Sequence, residues 1–287
     1  MTYRLLLALG CAMLPAAQAW GQDHDHAMQL GGMPMDMPGM ENESHPPVHK
    51  MDSGAAPKPV EGSGTSRLPA SDEAIPGIHA MSGNWMLMAH GTASLQYTDH
   101  SGPRGDDKVY VTSMAMLMAE RETSWGHLQF KSMFSLEPAM DPSGYPNLFA
   151  TGETAHGLPI VDRQHPHDLF MELAARVDIN AGSGSLFLYG GPVGEPALGP
   201  SAFGHRASAQ CNPEPPITHH WFDSTHITYG VVTAGYASPS WQVEASAFRG
   251  QEPDERRWNI ETPWLDSWSV RATLERFPFI LVRSRMS

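Results

Sequence analysis

From residue 85 the chain alternates. In "NWMLMAHGTASLQYTD", Trp85, Leu87, Ala89, Gly91, Ala93, Leu95 and Tyr97 point one way. Met86, Met88, His90, Thr92, Ser94, Gln96 and Thr98 point the other. A repeat of two residues is a half-buried strand. The turn "DHSGPRGDDK" ends this run and "VYVTSMAMLMAER" begins the next. After "ETS", "WGHLQFKSMFSLE" opposes Leu128, Phe130, Phe134 and Leu136 to His127, Gln129, Lys131 and Met133. That spacing of strands and turns predicts an antiparallel meander.

Later runs extend it: "DLFMELAARVDIN", "GSLFLYGG", "HITYGVVTAGYA", "WQVEASAFRG" and "SWSVRATLE". Residues 169–176 are also rich in the helix formers Leu, Met, Glu and Ala. Their near-strict alternation and flanking strands favour a strand. About eight strands result, many near the nine to eleven residues of a membrane-crossing strand. Tyr97, Tyr110, Trp125, Tyr189, Trp241 and Trp268 fall near strand ends, where aromatic girdles belong. No stretch after residue 19 is long and apolar enough for a transmembrane helix. The expected fold is therefore all-β, an antiparallel meander forming an outer-membrane-type β-barrel. A secreted β-sandwich or jelly roll predicts the same alternation with shorter strands. At the end, Pro278 breaks the pattern within "RFPFILVRSRMS". The preferred reading is a barrel that stops short of closing strands after about Leu274. The alternative is a small eight-stranded barrel.

The remaining segments are not strands. Residues 1–19 read as a signal peptide: Arg4, the apolar core "LLLALGCAMLPAA", then "AQA" for cleavage. Cys11 lies too early in that core for a lipoprotein signal. Cleavage leaves Cys211 as the one cysteine, so no intrachain disulfide forms. Residues 20–78 have almost no bulky apolar side chains except methionine, and predict a disordered leader. The domain then spans 79–287, with long connections at about 138–168 and 191–225. The net charge of −13 and the lack of any basic run exclude nucleic acid as a partner.

Candidate chemistry lies in the leader and the long connections. The leader gathers His24, His26, Met33, Met35, Met37, Met40, His45 and His49. Thioethers suit Cu(I), and imidazole suits Cu(II), zinc or nickel. In a tail without a core, packing does not explain that mixture. The connections carry "DRQHPHD" and "THHWFDSTH", with His165, His167, His219, His220 and His226. His165 and His167, two apart on extended backbone, point the same way. Asp162, Asp168 and Asp223 are further ligands or partners for an imidazole's second nitrogen. Copper is the expected metal, with zinc the alternative at the loop histidines. A polar network tying the loops to the sheet explains the same residues without a metal. No HExxH, GxSxG or glycine-rich phosphate loop occurs, so an enzyme is not expected. A metal-dependent enzyme built on the loop histidines is the minor alternative. The strand methionines Met86, Met88, Met114, Met116, Met118 and Met133 share the mostly polar face. They form either a soft-metal path or ordinary packing.

"VDRQHPHDLFMELA", "GPVGEPALGPSAFGHRASA", "PITHHWFDSTHITYGVVTAGY" and "FRGQEPDERRW" resemble a family of exported proteins of Gram-negative bacteria. These are associated with copper and heavy-metal resistance. The resemblance covers about 79–274, and the leader is similar to that of the outer-membrane copper resistance protein B family. It implies a barrel in the outer membrane, a role in copper tolerance and periplasmic metal-handling partners. It carries over no catalytic residue. The expected function is thus an exported copper-binding protein of the outer membrane. A soluble periplasmic metal-binding β-sandwich is the alternative.

Overall fold

A computed structural model describes residues 62–68, 76–207, 212, 227–261, 264–274 and 279–285. Each alternating run forms a strand. One antiparallel sheet contains β1 (Ile78–Ser82), β2 (Trp85–Asp99), β3 (Asp107–Thr123), β4 (Gly126–Phe134), β7 (Phe170–Ala181) and β8 (Gly184–Gly194). It continues with β9 (Thr228–Ala237), β10 (Trp241–Phe248), β11 (Ser267–Leu274) and β12 (Phe279–Arg285). Neighbours in the sheet follow chain order throughout, apart from the hairpin of β5 (Tyr145–Ala155) and β6 (Leu158–Gln164), which forms a separate two-stranded sheet. The helix-prone residues 169–176 enter β7 because β4 and β8 flank it on both sides and satisfy its backbone. The connection at 138–168 is not an open loop: most of it is the β5–β6 hairpin. Tyr145 of that hairpin stacks on Tyr110 of β3 at 4.2 Å between ring centroids.

The sheet is polar on the face it buries. Gln129, Lys131, Glu172, Arg176, Gln242, Glu244, Ser246, Ser269 and Arg271 are buried, while Leu95, Val109, Leu117, Phe130, Leu186, Leu188 and Val243 are exposed. Burying polar groups is costly unless each finds a partner. Here Arg271, Arg176 and Glu172 find side-chain partners. Arg271 reaches Glu244 at 2.8 Å, both almost fully enclosed. Arg176 grips Asp178 through two bonds of 2.9 Å and lies over the Phe187 ring. Tyr189 donates to Glu172 at 2.8 Å.

On the same face, Met116 and Met133 cluster with Met171, Val193, Ile227 and Tyr229, and Met88 and Met114 pack against them. Met88, Met114, Met116 and Met133 therefore serve as packing, each fully buried one contributing about 1.5–3 kcal/mol.

The barrel expectation fails at the edges. Among the described residues β1 pairs only with β2, and β12 only with β11, so the ten-stranded sheet stays open. Alternation reports which face of a strand is buried, but it carries no information on whether the first and last strands meet. Without closure an open backbone edge would face lipid. The outer membrane as location and as partner falls with the barrel. Among the described residues no helix is long and apolar enough to cross a membrane. Past Pro278 the chain re-enters the sheet: β12 pairs with β11 from Leu274↔Phe279 to Trp268↔Arg285.

The signal peptide and the leader ligands His24, His26, Met33, Met35, Met37, Met40, His45 and His49 lie outside the described residues, as does Cys211. Within the leader as read from sequence, the structure describes residues 62–68 and 76–78. Residues 62–66 are buried against the polar face of the sheet, and Leu68 is buried too.

Candidate metal centre

The "VDRQHPHD" run follows from the hairpin. β6 delivers Asp162 and Arg163 to one side, and the chain then crosses to β7 through Pro166. Every titratable side chain in the run has a partner. Asp162, with a left-handed φ of 56°, accepts two bonds from Arg104, at 2.6 and 2.5 Å, and one from the Phe149 N–H. The Arg104 and Phe149 hydrogen bonds hold its carboxyl below the usual range. Arg163 donates to the carbonyls of Ser143 and Gly144 and pairs with Asp106. Asp168 pairs with Arg257 at 3.1 Å, but burial outweighs that charge and pushes its carboxyl up.

The two histidines do not share a partner. His167 Nδ1 lies 2.9 Å from Glu137 Oε2, and its backbone N–H donates to the same oxygen at 3.0 Å. Burial opposes ionisation of Glu137, yet the His167 charge and its ring and backbone hydrogen bonds, with the Ser113 N–H, hold the carboxyl below the ordinary range. His165 turns elsewhere. Its Nδ1 sits 2.7 Å from the Pro166 carbonyl oxygen, and its Nε2 sits 2.7 Å from Glu153 Oε1. A carbonyl oxygen only accepts, so Nδ1 carries the hydrogen and donates. Nε2 faces the Glu153 carboxylate. Two acceptors at that distance repel unless a cation, a proton or a metal ion, lies between them.

Glu252 completes the group: donor atoms of Glu153, His165 and Glu252 all lie within 4.8 Å of one another. Glu252 is exposed by area, and its carboxyl lies toward His165 and Glu153. Burial pushes that carboxyl up, and the nearby Glu153 and Asp168 charges add to the rise against His165 and Arg257.

Three segments converge to build the centre. Glu153 comes from β5, His165 follows β6, and Glu252 follows β10. Backbone and side-chain bonds clamp them. The Leu169 N–H donates to the Arg257 carbonyl at 2.7 Å. Glu255 accepts from the Thr154 hydroxyl and from the Gly157 N–H at 3.0 Å. This His/Glu cluster is able to coordinate a divalent metal ion.

Of the ligands expected from sequence, the described residues place His165 in the cluster and His167 against Glu137. His219, His220, His226 and Asp223 lie outside the described residues. Glu153 and Glu252 escaped the sequence reading. Glu153 stands close in the chain to His156 but not to His165, Glu252 has no histidine beside it, and only the hairpin and the segment after β10 bring them to His165.

No family model, no curated protein and no solved structure matches the chain. The resemblance to copper-resistance proteins is therefore overturned, and with it the expectation of a copper-tolerance barrel.

Proposed function

We propose that this chain binds one divalent metal ion through Glu153, His165 and Glu252, in a binding rather than a catalytic role. The observation that carries the reading is His165. Its Nδ1–H is fixed by the Pro166 carbonyl, as ligand imidazoles commonly are, and its Nε2 faces two carboxylates. One imidazole and two carboxylates form a harder donor set than Cu(I) prefers, and zinc accepts both ligand types. The ion would tie the β5–β6 hairpin, the crossing into β7 and the segment after β10 together, since each supplies one ligand. Cu(I) capture by the leader's methionines and histidines is a separate proposal on separate residues.

The test is zinc stoichiometry of the full chain by equilibrium dialysis, compared between wild type, His165→Ala and Glu252→Gln. Loss of one bound ion in both variants supports the site. Unchanged stoichiometry in both variants sinks it, because ions held by the leader would then account for all the zinc.

A further inference from the structure

The Gly-Ser-rich piece "GSGTSRL", residues 62–68, is fitted to the sheet residue by residue. The Ser63 N–H donates to Ser201 Oγ at 2.9 Å, and Ser63 Oγ accepts from the Ala202 N–H at 2.7 Å. The Lys131 ammonium reaches the Gly62 and Gly64 carbonyls at 3.5 and 3.2 Å. Gln242 Nε2 donates to the Thr65 carbonyl at 2.8 Å. The Thr65 hydroxyl donates to Glu244 and accepts from Arg271 Nη2 at 3.0 Å. This short piece thereby bridges β4 to β10 and β11, which stand several strands apart in the sheet.

Both glycines are required by the fit. A Cβ at Gly62 would stand 2.1 Å from Ser201 Oγ. Gly64 has φ +55°, and a Cβ there would stand 2.8 Å from Glu195 Cβ. A flexible linker has no need of such positions, whereas a bound ligand does.

We propose that residues 62–66 are a built-in peptide ligand, and that Lys131, Ser201, Gln242, Glu244 and Arg271 form a groove for a Gly-Ser-Gly-Thr segment folded into a turn, closed by the Ser66 N–H on the Ser63 carbonyl at 2.9 Å and filled here in cis. Recognition rests on carbonyls read by Lys131 and Gln242, one hydroxyl read by Glu244 and Arg271, and two places where only hydrogen fits. The strap is held by polar bonds rather than by apolar anchors, so a peptide of the same sequence in solution competes for the groove.

The experiment uses the full chain and a fluorescent peptide of residues 60–68. In wild type the groove is filled, and anisotropy shows little binding. Gly64→Val unseats the strap and opens the groove, so peptide affinity rises at least about 100-fold. A peptide carrying Thr65→Val binds neither protein. Equal binding to wild type and Gly64→Val, or none to a folded Gly64→Val, overturns the proposal. If Gly64→Val fails to fold, a chain with a protease site placed at 70–74 decides. After cleavage of the folded protein the strap fragment stays bound, and excess wild-type peptide displaces it. A fragment that dissociates at once, or one that peptide does not displace, refutes the groove.

Discussion

His165 Nε2 stands 2.7 Å from Glu153 Oε1 while His165 Nδ1 donates to the Pro166 carbonyl. The imidazole is thereby aimed at the carboxylate before any ion arrives. Removal of either member should act on metal affinity far more than on the fold. His165→Ala should weaken zinc by at least about 100-fold, and Glu153→Gln, which removes another ligand, by at least about 10–100-fold, the loss already seen when only an outer-shell partner is removed. His167→Asn, which touches Glu137 instead, should leave affinity within a few-fold. Titration calorimetry on the three variants distinguishes these outcomes.

Zinc binding should weaken as pH falls. Burial raises the Glu252 carboxyl above its ordinary range, so protons compete with the ion at higher pH than they would at an ordinary carboxylate. The sign for stability is the opposite. The folded chain binds this proton more tightly than the unfolded chain, so without metal this group adds stability as pH falls through its raised range. Glu252→Gln should flatten both dependences. A metal-affinity profile that keeps its full slope in this variant would assign the proton elsewhere.

The Glu137–His167 pair should behave in the reverse sense. Its carboxyl is held below the ordinary range, so it contributes stability above about pH 4.3, the unperturbed value, and loses it as pH falls through the lower folded value. His167→Ala leaves a buried carboxylate without its main partner and should cost about 3–5 kcal/mol near neutral pH. Urea denaturation at pH 7 and pH 3.5 should show the gap between variant and wild type narrowing at the lower pH.

Arg271 and Glu244 lie 2.8 Å apart with side chains 1% and 0% exposed. Arg271→Met strands Glu244 and should destabilise by about 3–5 kcal/mol. Replacing both with apolar residues should cost less than the sum of the single changes, because no charge is left unpaired. A double-mutant cycle in denaturant measures the coupling, and strict additivity would contradict it.

The strands were legible in the chain because alternation is local. Each run from "WMLMAHGTASLQYTD" to "SWSVRATL" became a strand, with ends shifted by a few residues. The hairpin at 145–164 was not legible, since Pro146, Pro159 and shifted register interrupt its pattern. The burial of residues 62–68 was hidden for another reason. Glycine and serine look alike in a linker and in a tight groove, and only Ser201, Glu195 and Arg271, distant in sequence, distinguish them.

By itself, then, the sequence determined an all-β chain of antiparallel strands with one polar and one apolar face, and it singled out His165 as a ligand type. Strand periodicity and side-chain chemistry depend only on near neighbours, so both could be read directly. Tertiary structure alone decided that the sheet stays open, that the polar face is the buried one, and that His165 meets Glu153 and Glu252 while His167 meets Glu137. Edges, buried faces and ligand sets are fixed by contacts between residues far apart in the chain, and no local pattern encodes those.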